Sequence, residues 1–490
     1  MSLLKILMTA SEVTPLAKAG GLADVTAALG AYLHRAGHDI RILMPYYSTT
    51  QATGIDVRPV EELRSLSVDI GPQRVEFSIS LAVMPDSGLR VYLLRCPEFY
   101  DRDGIYTDDA DEHARFILLS RAAIEMSQHL TWAPDIFHCN DWHTALIPLY
   151  LRTLYRWDEL FARSRSVLTI HNIGHQGIVG TTALADMGLE DSAHLFHSED
   201  FARGQINFLK TGVRYADVLT TVSPTYAREI QTEEYGMGLE DLLRTRSDSL
   251  TGILNGVDYS EWNPEHDSLI PCPYSARNLV GKESNKKALM KSVGLKYEQG
   301  IPLIGMVARL GWQKGVPLMQ EVLPGLLRRR GFSFAILGSG EAKYEAFFSA
   351  LQQEFPGQVY FHRGFSNRLA HWIEAGSDMF LMPSAYEPCG LNQMYSLKYG
   401  TIPIVRKTGG LADSVEPYDP DTGKGTGIVF ENFDAESLVA AVEAALELYQ
   451  DTAGWLGLMG NAMAADFSWE SMGPKYVDVY RAVREAPTES

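Results

Sequence analysis

One heptapeptide occurs twice, at opposite ends of the chain. Lys18-Ala-Gly-Gly-Leu-Ala-Asp24 returns as Lys407-Thr-Gly-Gly-Leu-Ala-Asp413, with six of seven positions matching. Each copy follows a short apolar run and opens a segment of helical periodicity. A Gly-Gly pair at a helix start points backbone N–H groups outward with no Cβ in the way, and the helix dipole favours an anion there. Lys18 and Lys407 add positive charge. A tight strand-to-helix turn would use the same residues; the duplication favours anion binding at Gly20-Gly21 and Gly409-Gly410.

Other residues offer complementary chemistry. Arg309 and Lys314 flank the turn after an apolar run, where two readings stay open: an arginine and a lysine that hold a diphosphate without metal, or a solvated basic turn. Glu387, in Ala385-Tyr-Glu-Pro-Cys-Gly390, lies between a strand and a helix, where a carboxylate either grips sugar hydroxyls or is a plain helix-terminal charge. His138-Cys-Asn-Asp-Trp-His143 and His171-Asn-Ile-Gly-His175 follow two further apolar runs. Three readings stay open for these histidines: polar contacts to a sugar or phosphate, zinc ligation, and plain core or turn positions. Gly174 between His171 and His175 argues against the helix a zinc pair needs. Cys139 and Cys389 read as small buried hydrophobes. No P-loop is present, and Gly338-Ser339-Gly340 has Lys343 where a third Rossmann glycine belongs.

Two alternating series must position these groups. Lys5–Ala10, Leu22–Gly37 and Asp39–Met44 open a βαβ pattern, and Asp135–Cys139, Ser166–Ile170 and Val218–Val222 read as further buried strands. Val75–Val83 alternates at period two, a β-rich excursion. The second series runs from Pro302–Ala308 (strand) through Val316–Arg329, Ala342–Glu354, Arg368–Ala375 and Leu391–Tyr399 (helices) to a closing helix Ala435–Tyr449. The strands Phe332–Leu337, Val359–His362, Asp378–Pro383 and Ile402–Val405 lie between them. The series meet in a polar, turn-rich stretch between about residues 250 and 300 that reads as a linker. The expected class is α/β: two Rossmann-like, doubly wound parallel-sheet domains facing across a cleft. The expected domains are 1–255, 256–468 and a C-terminal helix, 469–490, crossing back to the first.

Composition narrows the class of function. A net charge of −18 disfavours a general nucleic-acid or anionic-membrane binder. Four scattered cysteines, a weak N-terminal apolar run and no span of roughly 18 apolar residues lead to the expectation of a cytoplasmic protein.

Together these motifs resemble the bacterial glycogen synthases and plant starch synthases, retaining glucosyltransferases of the GT-B fold. The resemblance runs nearly end to end. It rests on Lys18–Asp24, Asn140-Asp-Trp-His143, His171-Asn-Ile173, Asn255-Gly-Val-Asp258, Arg309 with Lys314, Glu387–Gly390 and Thr408–Asp413. It implies transfer of glucose from ADP-glucose to the non-reducing end of an α-1,4-glucan, with retention, no cofactor and no metal. Carried over by position, Lys18, Gly20 and Gly21 contact the donor diphosphate, and Arg309 and Lys314 neutralise charge as ADP leaves. Glu387 holds glucose hydroxyls, with Thr408, Gly409, Gly410 and Leu411 supplying N–H groups nearby. His171 sits by the anomeric carbon, and Asp141, Asn172 and Asn255 line the sugar side.

Phe365 stands where the family usually has a tyrosine stacked on adenine. Tyr395 stands where many retaining GT-B enzymes carry a second glutamate. The chemistry implied fits the residues. A diphosphate is an acidic leaving group, so preorganised cations matter more than a general acid. Retention then points to front-face attack, since no carboxylate nucleophile is evident. A catalytically silent glucan-binding protein and an NAD-linked oxidoreductase are the competing readings.

Overall fold

A computed structural model of the chain describes residues 3–486. The chain divides into two compact units. One is bounded by Met1–Val222, Ala227–Gly256 and Trp469–Ser490, the other by Ser223–Tyr226 and Val257–Ser468.

The strands of the first unit are β1 (Lys5–Thr9), β2 (Asp39–Pro45), β3 (Val57–Pro59), β4 (Leu66–Ile70), β5 (Gln73–Val83), β6 (Arg90–Arg95), β7 (Ile136–Asn140), β8 (Arg165–Ile170), β9 (Ile178–Gly180), β10 (Gln205–Asn207), β11 (Val218–Thr221) and β12 (Leu250–Gly252). Except for the antiparallel pair β9 and β10 they form one sheet, in the order β12-β11-β8-β7-β1-β2-β6-β5-β3, with β4 paired to β5. The central strands pair in parallel. They are apolar on both faces because helices cover both; Ile6, Leu7 and Met8 are all buried. The antiparallel excursion β3–β6 instead alternates, burying Val75, Phe77 and Ile79 and exposing Glu76.

The helix Gly21–Arg35 buries Leu22, Val25, Leu29 and Leu33. The C-terminal helix Trp469–Glu485 packs in this unit too: Gly473 meets Tyr32, and the Tyr480 hydroxyl lies 2.8 Å from His138 Nδ1. Among the described residues no helix is long and apolar enough to cross a membrane.

The second unit has six parallel strands: β13 (Leu303–Leu310), β14 (Ser333–Gly340), β15 (Val359–Arg363), β16 (Met379–Met382), β17 (Ile402–Arg406) and β18 (Ile428–Phe430), ordered β15-β14-β13-β16-β17-β18. The chain runs outward from β13 to β15, then returns to the other side of β13 with β16. That reversal opens a crevice at the carboxyl ends of β13 and β16. The first unit reverses in the same way between β1 and β7.

One sequence expectation needs correction, and one helix was missed. The stretch that reads as linker contains a helix, Val280–Val293. Its inward face is built from Lys282, Asn285, Lys286, Leu289 and Met290, so polar residues occupy the buried positions and the apolar period disappears. Lys282 Nζ donates to Thr401 Oγ1 at 2.7 Å, and burial lowers its pKa to about 7. The helix expected at Ala435–Tyr449 is there, as Ala435–Leu448, and a further helix that the sequence reading did not assign follows it, Thr452–Ala464, capped by the Asp451 carboxylate. Glycines 454, 457 and 460 weaken the helical signal of the second.

Candidate active site

In the second unit, β13 runs two residues beyond its expected end, so Arg309 lies on the strand and not in the turn after it. Lys314 closes the short 3-10 turn Trp312–Lys314. Gly315 must be glycine: its φ is +74°, and a Cβ there would lie 1.9 Å from the Pro383 carbonyl oxygen. That contact draws the two loops together across the crevice. The Ala385 N–H donates to the Gln313 carbonyl at 2.8 Å. Lys314 Nζ reaches Glu387 Oε2 at 2.5 Å, and the Ser384 hydroxyl donates to the same oxygen at 3.0 Å. Glu387 is 4 % exposed. Ser384 has no sequence signal beyond its nearness to Glu387.

The second Gly-Gly loop is used differently from its expectation. Gly410 N–H donates to the carbonyls of Glu387 and Pro388, at 3.0 and 3.1 Å, and so does not face outward. A Cβ at Gly409 (φ +43°) or Gly410 would come within 2.0 Å of the carbonyl oxygen of Glu387 or Cys389. These glycines let the helix start press against the Glu387 segment. Thr408 and Leu411 are fully buried beside them, Lys407 pairs with Glu431, and Asp413 accepts from the Thr225 N–H and hydroxyl.

Phe365 follows β15 and precedes the helix Asn367–Gly376, with its ring 73 % exposed. Tyr395 stacks on Trp262 at 4.0 Å with rings nearly parallel, and His371 covers the other face of that indole at 3.8 Å. The position of a second glutamate is thus taken by packing. Gly338 and Gly340 lie within β14, where Cβ atoms would strike the carbonyls of Ala308 and Leu310. They serve strand approach, which removes the dinucleotide-turn reading.

In the first unit, side chains gather at the carboxyl ends of β1, β7 and β8. Asp141 accepts from the N–H of His171 at 2.7 Å and of Asn172 at 3.4 Å. Its backbone (φ 53°, ψ −170°) is in a region almost reserved for glycine, a strain of about 1–3 kcal/mol that marks functional positions. Burial raises its pKa to about 7. Asn140 Nδ2 donates to the Thr9 carbonyl, which turns Oδ1 towards His171 Nε2 at 2.9 Å. Nε2 therefore carries the proton. Burial lowers the His171 pKa to about 3, so the ring is neutral and Nδ1 keeps its lone pair. Asn255 is 5 % exposed, and its Oδ1 is buried without a hydrogen bond.

The first Gly-Gly loop opens the helix Gly21–Arg35. Gly20 is its N-cap, and a Cβ there would meet nothing within 4 Å. Lys18 Nζ pairs with Asp24 Oδ1 at 2.8 Å, a carboxylate that also accepts from Thr14. The N–H groups of Ala19 and Gly20 do not point outward: both donate to Glu12 Oε2. Sequence reasoning missed Glu12, which stands in the loop before the glycines with no spacing to mark it. Cys139 is buried in β7, and burial pushes its thiol well up, away from nucleophilic use.

Comparison with known proteins bears on this constellation. The starch synthase catalytic domain family matches residues 5–245, and the glycosyl transferases group 1 family matches residues 291–454. The glycogen synthase of Koribacter versatilis (strain Ellin345) is 45 % identical, over 98 % of this chain and 98 % of its own. That of Thermotoga maritima is 42 % identical over 98 % of each. The catalytic domain of starch synthase IV from Arabidopsis thaliana, solved bound to ADP and acarbose, is 35 % identical with a TM-score of 0.92, covering 99 % of this chain and 100 % of that one. Sucrose-phosphate synthase from Thermosynechococcus elongatus, 16 % identical with a TM-score of 0.62 and 98 % of each chain covered, shares the fold.

Proposed function

Because the chain belongs to the glycogen synthase family of GT-B glycosyltransferases, we propose that it transfers glucose from ADP-glucose to the non-reducing end of an α-1,4-glucan with retention. We read residues 1–255 as the acceptor-side domain and 256–468 as the nucleotide-sugar domain, with 469–490 returning to the first. The protein works in the cytoplasm.

The observation that carries the reading is the Lys314–Glu387 pair in the β13–β16 crevice, just after the strand end that carries Arg309. Arg309 and Lys314 take up the charge that develops as the diphosphate leaves, with Lys18 and the Gly20-Gly21 loop contacting the same group. Lys314 and Ser384 both hold Glu387 Oε2, which leaves Oε1 to accept from glucose hydroxyls. Thr408, Gly409, Gly410 and Leu411 hold the Glu387 segment in place. Phe365 stacks on the adenine. The ADP in the starch synthase IV structure supports an adenosine diphosphate donor.

His171, neutral by burial, presents an acceptor nitrogen beside the sugar, with Asp141, Asn172 and Asn255 on the same side. It is no general acid at neutral pH, and the leaving diphosphate needs none. The proton of the attacking hydroxyl passes to the departing phosphate oxygen on the same face.

The test is release of ADP from ADP-glucose in the presence of glycogen, with EDTA added. Full turnover under chelation is expected, because cationic side chains do the work of a metal. Absence of ADP release would sink the assignment in favour of a silent glucan binder. Equal kcat/KM for UDP-glucose would overturn the donor but not the reaction.

A further inference from the structure

Glu12 carries the next step. It follows β1 in the loop that leads to Lys18, and it is 3 % exposed. One carboxylate oxygen, Oε2, accepts from the N–H groups of Ala19 and Gly20, the latter at 2.8 Å. The other, Oε1, accepts from the Tyr106 hydroxyl, which lies 2.8 Å from Ser11 Oγ. The Tyr106 ring stacks on His143 at 4.9 Å. Burial and the neighbouring carboxylate hold the Tyr106 hydroxyl protonated, so it stays a donor.

An N–H pair just before a helix is an anion site in its own right. Here a protein carboxylate fills it. The second heptapeptide is braced differently: the Thr408 N–H donates to the Arg406 carbonyl at 3.0 Å, and the Gly410 N–H to the carbonyls of Glu387 and Pro388. The internal anion has two consequences. It fixes the peptide planes of Ala19 and Gly20, and hence the point from which Lys18 projects. It also closes that N–H pair to phosphate, so a diphosphate must be met by Lys18 and by the half-buried edge of Gly20, where a Cβ would meet nothing within 4 Å.

We propose that Glu12 is the positioning residue of the donor-diphosphate loop, holding Lys18 in place through the Ala19 and Gly20 N–H groups without touching the donor. This rests on the reading of Lys18 as a diphosphate contact.

The experiment is steady-state kinetics of Glu12→Ala and Glu12→Gln, varying ADP-glucose and glycogen separately. Glu12→Ala leaves two buried N–H groups unpaired, and the donor kcat/KM should fall by about 10- to 100-fold, with the glycogen KM unchanged. Glu12→Gln keeps an oxygen on both N–H groups and turns its amide to Tyr106, which then donates to Ser11; it should stay near wild type. Formate, a carboxylate small enough for the vacated space, should restore part of the Glu12→Ala activity and leave the wild type unaffected. If Glu12→Ala does not fold, Glu12→Asp, whose shorter side chain cannot span both N–H groups, should show the same selective donor defect.

A wild-type donor kcat/KM in Glu12→Ala, or both KM values raised together, would overturn the positioning role and leave Glu12 a structural residue. Wild-type protein that releases no ADP at all would instead refute the glucosyltransferase reading, and this inference with it.

Discussion

Lys314 Nζ stands 2.5 Å from Glu387 Oε2, so the cation assigned to the leaving diphosphate and the carboxylate assigned to the glucose form one ion pair. The two cannot act independently. Each orients the other, and removing the lysine leaves a carboxylate that is only 4 % exposed without its counter-charge.

Lys314→Ala and Glu387→Ala are each expected to lower kcat by about two to three powers of ten. The double variant should lose far less than the product of the two, as coupled groups do. Single and double variants assayed at saturating substrate check this. Strict multiplicativity would show that the pair is not a unit in catalysis. A change confined to the glycogen KM in Glu387→Ala would place Glu387 on the acceptor.

The two Gly-Gly loops should respond oppositely to a methyl group. Gly410→Ala puts a Cβ 2.0 Å from the Cys389 carbonyl oxygen, so the Glu387 segment must shift. A lower melting temperature and a severe loss of kcat are expected. Gly20→Ala enters open space on extended backbone and should cost about 1 kcal/mol or less as an N-cap change. Its effect should fall on the donor KM. Thermal melts and donor titrations separate the two.

Asp141 makes stability depend on pH. Its folded pKa of about 7 lies above the unfolded carboxylate value of about 3.9. Between those values the unfolded chain gives up its proton first, so this residue lowers stability as pH rises from about 4 to 7, with no further loss above. Asp141→Asn removes the ionisation. The variant should gain stability over wild type at pH 8, by at most about 4 kcal/mol, and match it near pH 4. Denaturant melts at the two pH values decide it; an equal difference at both would exclude a buried, protonating Asp141.

Phe365 is exposed, so its loss should leave the fold intact while weakening the donor complex. Phe365→Ala is expected to raise the ADP-glucose KM by an amount equivalent to about 1–3 kcal/mol of lost stacking. Phe365→Tyr should be nearly silent. An unchanged donor KM in Phe365→Ala would remove the ring from the nucleotide site.

Much of the molecule is legible in its sequence because the physics is local. Buried parallel strands such as Lys5–Thr9 and Ser333–Gly340 read as apolar runs, and helices such as Val316–Arg329 and Ala342–Glu354 show their bounds to the residue. The helix Val280–Val293 was hidden because its inward positions hold Lys282 and Lys286, amines satisfied only by partners distant in sequence such as Thr401 and Asp378. The heptapeptides show where loops meet helices. They do not show what each N–H meets, since Glu12 and the Glu387 carbonyl reach them through tertiary structure alone. Motif spacing places Glu387, Lys314 and Arg309 near one strand end; that Lys314 and Ser384 share a single carboxylate oxygen is a matter of side-chain geometry.

Three of the sheet margins end on strands of only three residues: β3, β12 and β18. β3 closes with Pro59, which has no N–H to offer a neighbour. An edge that short exposes roughly 10 Å of unpaired backbone, too little to template the extension of a sheet by a second chain. The strand ends carrying Arg309, Asp141 and His171 lie on interior strands, well away from these margins. At these three margins the protein is thereby guarded against edge-to-edge pairing at high concentration, without any charge or bulge being spent near the chemistry.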